Sequence, residues 1–170
     1  VADRITRKEN TDFVSGTGTT KARGFLTYTA GSATYARGSI EQVNSGTSAA
    51  VTANGTLDVM GALKEIYQPN AVWLMKRLTY TAFLKLKDTS NQFLFGIDFL
   101  KTGIAVPTLA GKRVVFADDM PAVAANALAA AYGDFAEGYT IYDRLGLIVQ
   151  RDPFTAKGFV KFYTYKRTGG

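Results

Sequence analysis

"VQRDPFTAKGFVKFYTYKR", Val149 to Arg167, closes one strand pattern at Asp152-Pro153 and opens another after Gly158. Pro, Asp and Gly interrupt the apolar runs on either side, as they do where strands end in turns. Alternation along "FVKFYTYKR" puts Phe159, Lys161, Tyr163, Tyr165 and Arg167 on one strand face. Interleaved aromatic and basic side chains can stack bases and neutralise phosphates. Lys161 and Arg167, with Lys166 of the same cationic cluster, are therefore candidate phosphate contacts. A strand with a half-solvated face accounts for the same alternation without a ligand, and is the preferred reading.

Upstream, "QFLF", "KRVVFA", "YTIYD" and "GLIVQRD" repeat this character, short apolar runs separated by turn residues. They read as strands of a predominantly antiparallel sheet. "PAVAANALAAAYG" is ambiguous, because its composition favours a helix, with Pro121 at an N1-like position and Gly133 as a C-terminal cap.

The first half is more helical. A stretch around Ile5, Arg7 and Glu9 reads as the end of a helix that stops before the glycine run. Leu57, Met60, Leu63, Lys64 and Tyr67 recur at helical spacing, with Thr56 as the expected N-cap and Pro69 beyond the end. "AVWLM" reads as an apolar strand, and "LTYTAFLKLKD" as a helix with Leu78, Ala82 and Leu86 on one stripe. Between Ala30 and Thr56 charge almost vanishes, which marks this stretch as a mobile loop.

The glycine run "VSGTGTTKARGF" invites comparison with a phosphate cradle. A phosphate loop needs Lys directly after its last glycine, whereas Lys21 lies three residues beyond Gly18 and also fills the third small position of a dinucleotide fingerprint. A turn after a helix is the better reading.

Composition narrows the function. The 170 residues, 46% hydrophobic, suffice for a real core. No apolar run approaches the roughly 20 residues of a membrane-spanning helix. The start "VADRITRKENTDF" has no secretory pattern and no initiator Met, so the chain is expected to begin inside a longer protein. Histidine and cysteine are both absent, which removes the commonest general base, metal ligand and thiolate nucleophile. Asp118 with Asp119, Asp134 with Glu137, and Asp143 with Asp152 lack diagnostic spacing and sit beside turn signals. No catalytic, cofactor or metal site is assigned. The net charge of +6 allows a polyanionic neighbour, but the basic residues are scattered.

Taken in order, "FVSGTGTTKARGFL", "AVWLMKRLT" with "LKD", "DDMP", "YGDFAEGYTIYDR", "VQRDPFTAKGFVKFYTYKR" and the final "GG" resemble the major capsid proteins of tailed bacteriophages. That family has the Hong Kong ninety-seven-type fold, which encapsulins share. The positions that carry the resemblance are Gly16, Gly18, Gly24, Trp73, Lys87, Asp88, Met120, Pro121, Gly133, Asp134, Phe135, Tyr139, Asp143, Arg144, Arg151, Asp152 and Pro153. Ala22 and Lys76 depart from it, standing where the family commonly has Pro and Asn.

The resemblance implies an α+β fragment with a mostly antiparallel sheet and a few helices, an axial domain plus part of a peripheral domain. Residues 1–29 would be the end of the spine helix and its turn, 30–56 a mobile low-charge loop, 57–140 mainly the axial domain, and 141–170 the strands returning to the peripheral domain. It favours a turn and strand for "LAAAYGDF" over the helix that composition suggests. The implied function is a structural subunit of an icosahedral phage or prophage capsid. Its partners would be copies of itself and enclosed double-stranded DNA contacted non-specifically, with no membrane, cofactor or small-molecule substrate. The implied location is the virion, assembled in the bacterial host cytoplasm. An encapsulin-like compartment shell and a non-specific nucleic-acid-binding module are the alternatives.

Overall fold

The computed structural model describes residues 2–32, 34, 36–95, 106–155 and 157–170. In chain order the elements are α1 (Ala2–Ser15), β1 (Thr29–Gly31), β2 (Ser39–Glu41), α2 (Ala53–Ala62), β3 (Val72–Met75), α3 (Arg77–Leu84), β4 (Thr108–Leu109), β5 (Lys112–Phe116), β6 (Ala130–Gly133), α4 (Phe135–Gly138), β7 (Tyr142–Asp152) and β8 (Lys161–Gly169). Short 3-10 turns lie at Phe25–Thr27 and Glu65–Tyr67. The chain divides into two units. Tyr28–Gly138 forms one, and the residues up to Thr27 join Tyr139–Gly170 in the other.

In the Tyr28–Gly138 unit, the apolar run "AVWLM" becomes β3, inside a four-stranded sheet of order β4-β5-β3-β6. Trp73 and Met75 alternate with Val72 and Leu74, so one face of the strand buries its large side chains. Trp73, Met75, Phe83, Leu109 and Val114 form the core. The Trp73 ring stacks at a tilt on Tyr132, centroids 4.7 Å apart, and meets Phe83 at 6.3 Å. β4 and β5 turn through Ala110 and Gly111, both at positive φ, the pairing that suits a two-residue hairpin.

The expectation of mostly antiparallel pairing holds for β3–β6, β4–β5 and β7–β8, while β3–β5 and β1–β2 are parallel. Parallel neighbours need a crossover, and the chain between β3 and β5 includes α3. β6 confirms the strand implied for "LAAAYGDF" over its helix propensity: Val72 to Met75 pair with Gly133 to Ala130, so a waiting partner outweighs local preference. The first helical turn of α4 then follows, unforeseen in the sequence.

Five local expectations need correction. α2 starts four residues early, because Thr52 and not Thr56 is the N-cap, its hydroxyl accepting from the Gly55 amide at 3.0 Å. Thr56 instead lies buried inside the helix and donates back to the Thr52 carbonyl. The helix stops at Ala62 because the Gln68 side-chain amide takes the Met60 carbonyl at 2.7 Å and the Leu63 carbonyl at 3.2 Å. In α3 the buried positions are Thr79 and Phe83, and Leu78 is 69% exposed. Only Lys76 separates β3 from α3, so the strand fixes the helix's rotational phase. "QFLF" contributes one isolated bridge, Lys87 with Phe93, and no strand. Only the Tyr142-Asp143 end of "YTIYD" is strand, and it joins "GLIVQRD" in the single strand β7, whose pairing with β8 shifts register around Gly146. Within the expected loop of residues 30–56, β2, most of β1 and the start of α2 are formed; residues 33 and 35 lie outside the described residues.

Candidate functional site

The unit containing both chain ends holds the glycine run and the C-terminal ribbon. α1 ends at Ser15, and its last turn carries the chain into Gly16, whose amide donates to the Asp12 carbonyl at 2.8 Å. The chain returns at Gly24, donating to the Gly16 carbonyl at 2.9 Å, and a bridge joins Thr17 to Arg23. A methyl group on Gly16 would collide with the carbonyl oxygens of Ala22 and Asp12; one on Gly24 would strike the backbone of Val14 and Ser15. Gly18 takes φ +80°, which side chains rarely adopt. The Thr27 hydroxyl closes the loop onto the Gly16 and Gly24 carbonyls at 3.0 and 2.7 Å. Gly16 and Gly24 therefore bring backbone against backbone. Lys21, the one lysine of the run, pairs with Asp12 at 3.4 Å.

β7 and β8 form a two-stranded ribbon. Lys161, Tyr163, Tyr165 and Arg167 share one exposed face, as the alternation predicted. Across the ribbon they oppose Asp152, Gln150, Ile148 and Leu145. The other face carries Phe162, Thr164 and Lys166. Lys166 reaches the Glu9 carboxylate of α1 at 2.9 Å and Asp143 at 3.1 Å. Hydrogen bonds to Glu9, then Asp143, raise the Lys166 pKa above the ordinary lysine value. The structure thus separates the three candidate phosphate contacts: Lys161 and Arg167 lie together, and Lys166 is held on the opposite face by two carboxylates.

Two of the candidate acids, Asp134 and Asp152, serve local turns. Asp134 accepts from the Ala136 amide at 3.0 Å and starts α4. Asp152 accepts from the amides of Phe154 and Thr155 and from the Thr155 hydroxyl, and these bonds, led by the hydroxyl, lower its pKa below the usual carboxylate value. Asp143 and Asp152 stand near opposite ends of β7, roughly 30 Å apart at about 3.3 Å per residue, too far to act as a pair. Asp118 and Asp119 lie in the turn after β5. Among the described residues no group of three or more acidic side chains is placed to hold a metal ion.

The remaining resemblance-bearing positions are spread over turns, the core and exposed strand. Asp88 accepts from the Ser90 and Gln92 amides at 2.8 and 2.9 Å, and Lys87 donates to Asn91 at 3.0 Å. Trp73 and Met120 are buried, Pro121 follows Met120 after the turn, and Gly133 ends β6 beside Phe135 of α4. Arg144 and Arg151 are exposed on β7, and Pro153 follows it. Tyr139 donates to the Arg23 carbonyl. Sequence reasoning missed Gln68, whose Oε1 also accepts from Tyr132 at 2.6 Å and whose carbonyl accepts from Lys112. A lone glutamine before a proline carries no signal of such a hub.

Comparison with known proteins supplies what these contacts cannot. The model of the "Phage capsid family" matches residues 1–170. A solved structure titled "Capsid of empty GTA particle computed with C5 symmetry" superposes with a TM-score of 0.87 at 42% identity, covering 99% of this chain and 58% of the other. The "Capsid of native GTA particle computed with C5 symmetry" gives 0.88 and 41%, with the same coverages. The chain therefore spans 58% of the length of the capsid chains it matches. Among curated proteins, none matches.

Proposed function

The chain belongs to the phage capsid family, and on that premise we propose that it is a structural subunit of an icosahedral capsid that encloses double-stranded DNA. The observation that carries this reading is the superposition of 99% of the chain on a capsid subunit at 42% identity. In this reading the unit formed by the residues up to Thr27 and Tyr139–Gly170 is the peripheral domain, and Tyr28–Gly138 is the axial domain. Its partners are copies of itself in capsomers, it assembles in the host cytoplasm, and it carries out no chemistry of its own. The side chains support a building role: Asp134 and Asp152 are spent on turns and Asp143 on an ion pair, and aromatic, tyrosine-rich surface is left on the ribbon.

The test is isolation of nuclease-protected particles from the source cells on a density gradient. Peptides from residues 1–170 should dominate the particle protein, and the particles should contain DNA. Particles filled with a protein cargo would favour a compartment shell, and absence of the chain from any particle would overturn the proposal.

A further inference from the structure

Beside the Lys166 ion cluster, the first turns of α1 and the strand β8 enclose an open groove of about 420 Å³ lined by Arg4, Ile5, Lys8 and Thr164. We infer that this groove holds the phosphodiester backbone of DNA, an inference that rests on the DNA-enclosing reading above. Arg4 and Lys8 stand one helical turn apart on the same side of α1, a like-charge spacing that costs an isolated helix a few tenths of a kcal/mol. An intramolecular reason for that spacing would be a shared carboxylate. Among the described residues neither cation has one: Asp3 pairs with Arg7 at 3.1 Å, Glu9 with Lys166, and Asp12 with Lys21. The nearby acids are thus neutralised by other cations, and the groove keeps both positive charges.

Ile5 gives the groove an apolar wall, and Thr164 supplies a hydroxyl that makes no hydrogen bond among the described residues. Arg151 lies on the same face of the ribbon, opposite Phe162 in the register. Two or three cations with a neutral donor, and no planar slot or groove-reading element, suit a repeating phosphate better than a base. The opposite face of the ribbon is a weaker candidate, because Lys161 faces the ionised Asp152 directly and Arg167 faces Leu145.

The experiment measures binding of the chain to two fluorescent duplexes of unrelated sequence across a salt series. Each phosphate contact contributes about 0.9 to the slope of log K against log salt. The double variant R4Q/K8Q should bind both duplexes several-fold more weakly, with the slope reduced by about 1.8. The charge-retaining R4K/K8R should restore the slope. Circular dichroism and Tm check that each variant is folded; if R4Q/K8Q is not, R4Q and K8Q are read singly, each lowering the slope by about 0.9. Normal wild-type binding with an unchanged slope in folded R4Q/K8Q overturns the groove alone. No salt-dependent binding by the wild type overturns the DNA-enclosing reading with it. Inorganic phosphate that competes as well as duplex at constant ionic strength would make this a site for the free ion, and would also overturn the inference.

Discussion

The Tyr139 hydroxyl donates a hydrogen bond to the backbone carbonyl of Arg23 at 2.8 Å, across 116 residues of sequence. Its ring meets Phe13 and Phe25 edge-on, with centroids 6.3 and 6.2 Å away. One side chain thus ties the start of the C-terminal segment to both arms of the glycine loop. Tyr139→Phe keeps the ring contacts and removes this one hydrogen bond, so it should cost about 1 kcal/mol in urea unfolding. Tyr139→Ala removes the ring as well and should cost about 3 kcal/mol. Equal losses would mean that the aromatic contacts carry nothing.

Two glycines should respond in opposite directions to alanine. Gly24→Ala drives a methyl group into the Val14–Ser15 backbone and should unfold the loop, at a cost above about 3 kcal/mol. Gly61 sits near the end of α2 with open space around it, so Gly61→Ala should stabilise by roughly 0.5–1 kcal/mol. Thermal melts of the two variants check both signs.

Lys76 occupies the N-cap of α3 in extended conformation, and its side chain makes no cap hydrogen bond. The backbone geometry is already that of a cap, and only the acceptor is missing. Lys76→Asn, the residue common in the resembling family, should therefore raise stability by about 1 kcal/mol. Lys76→Ala lacks the acceptor and should give no such gain, which separates capping from loss of a charge.

Lys166→Met removes the cation shared by Glu9 and Asp143 and should lower Tm. Because the folded pKa of Lys166 is raised, its stabilisation is complete below the ordinary lysine pKa of about 10.4 and is lost as pH rises through the higher folded value. The Tm gap between wild type and variant should be constant between about pH 7 and 9 and close only in stronger alkali. Added salt should narrow it throughout, since the lysine and Asp143 are reached by solvent. A gap that closes near neutral pH would assign it to another group.

The residues by themselves determined the elements whose pattern is unambiguous. "AVWLM" has an apolar run too short for a helix and became β3; the alternation from Lys161 to Arg167 became the exposed face of β8, while Phe159 stays outside the strand. The quoted motifs carried the family, and with it the strand at Ala130–Gly133. Other features depended on partners distant in sequence. Leu78 and Phe83 are both apolar, and composition cannot say which of them faces Trp73; the one-residue link at Lys76 set that phase, burying Phe83 and leaving Leu78 in solvent. Lys166 looked like its neighbours Lys161 and Arg167 until the fold brought Glu9 and Asp143 against it. Local propensity acts over a few residues, so it fixes strands, caps and turns; the charge a side chain presents depends on which distant groups share its space, and only the tertiary structure decides that.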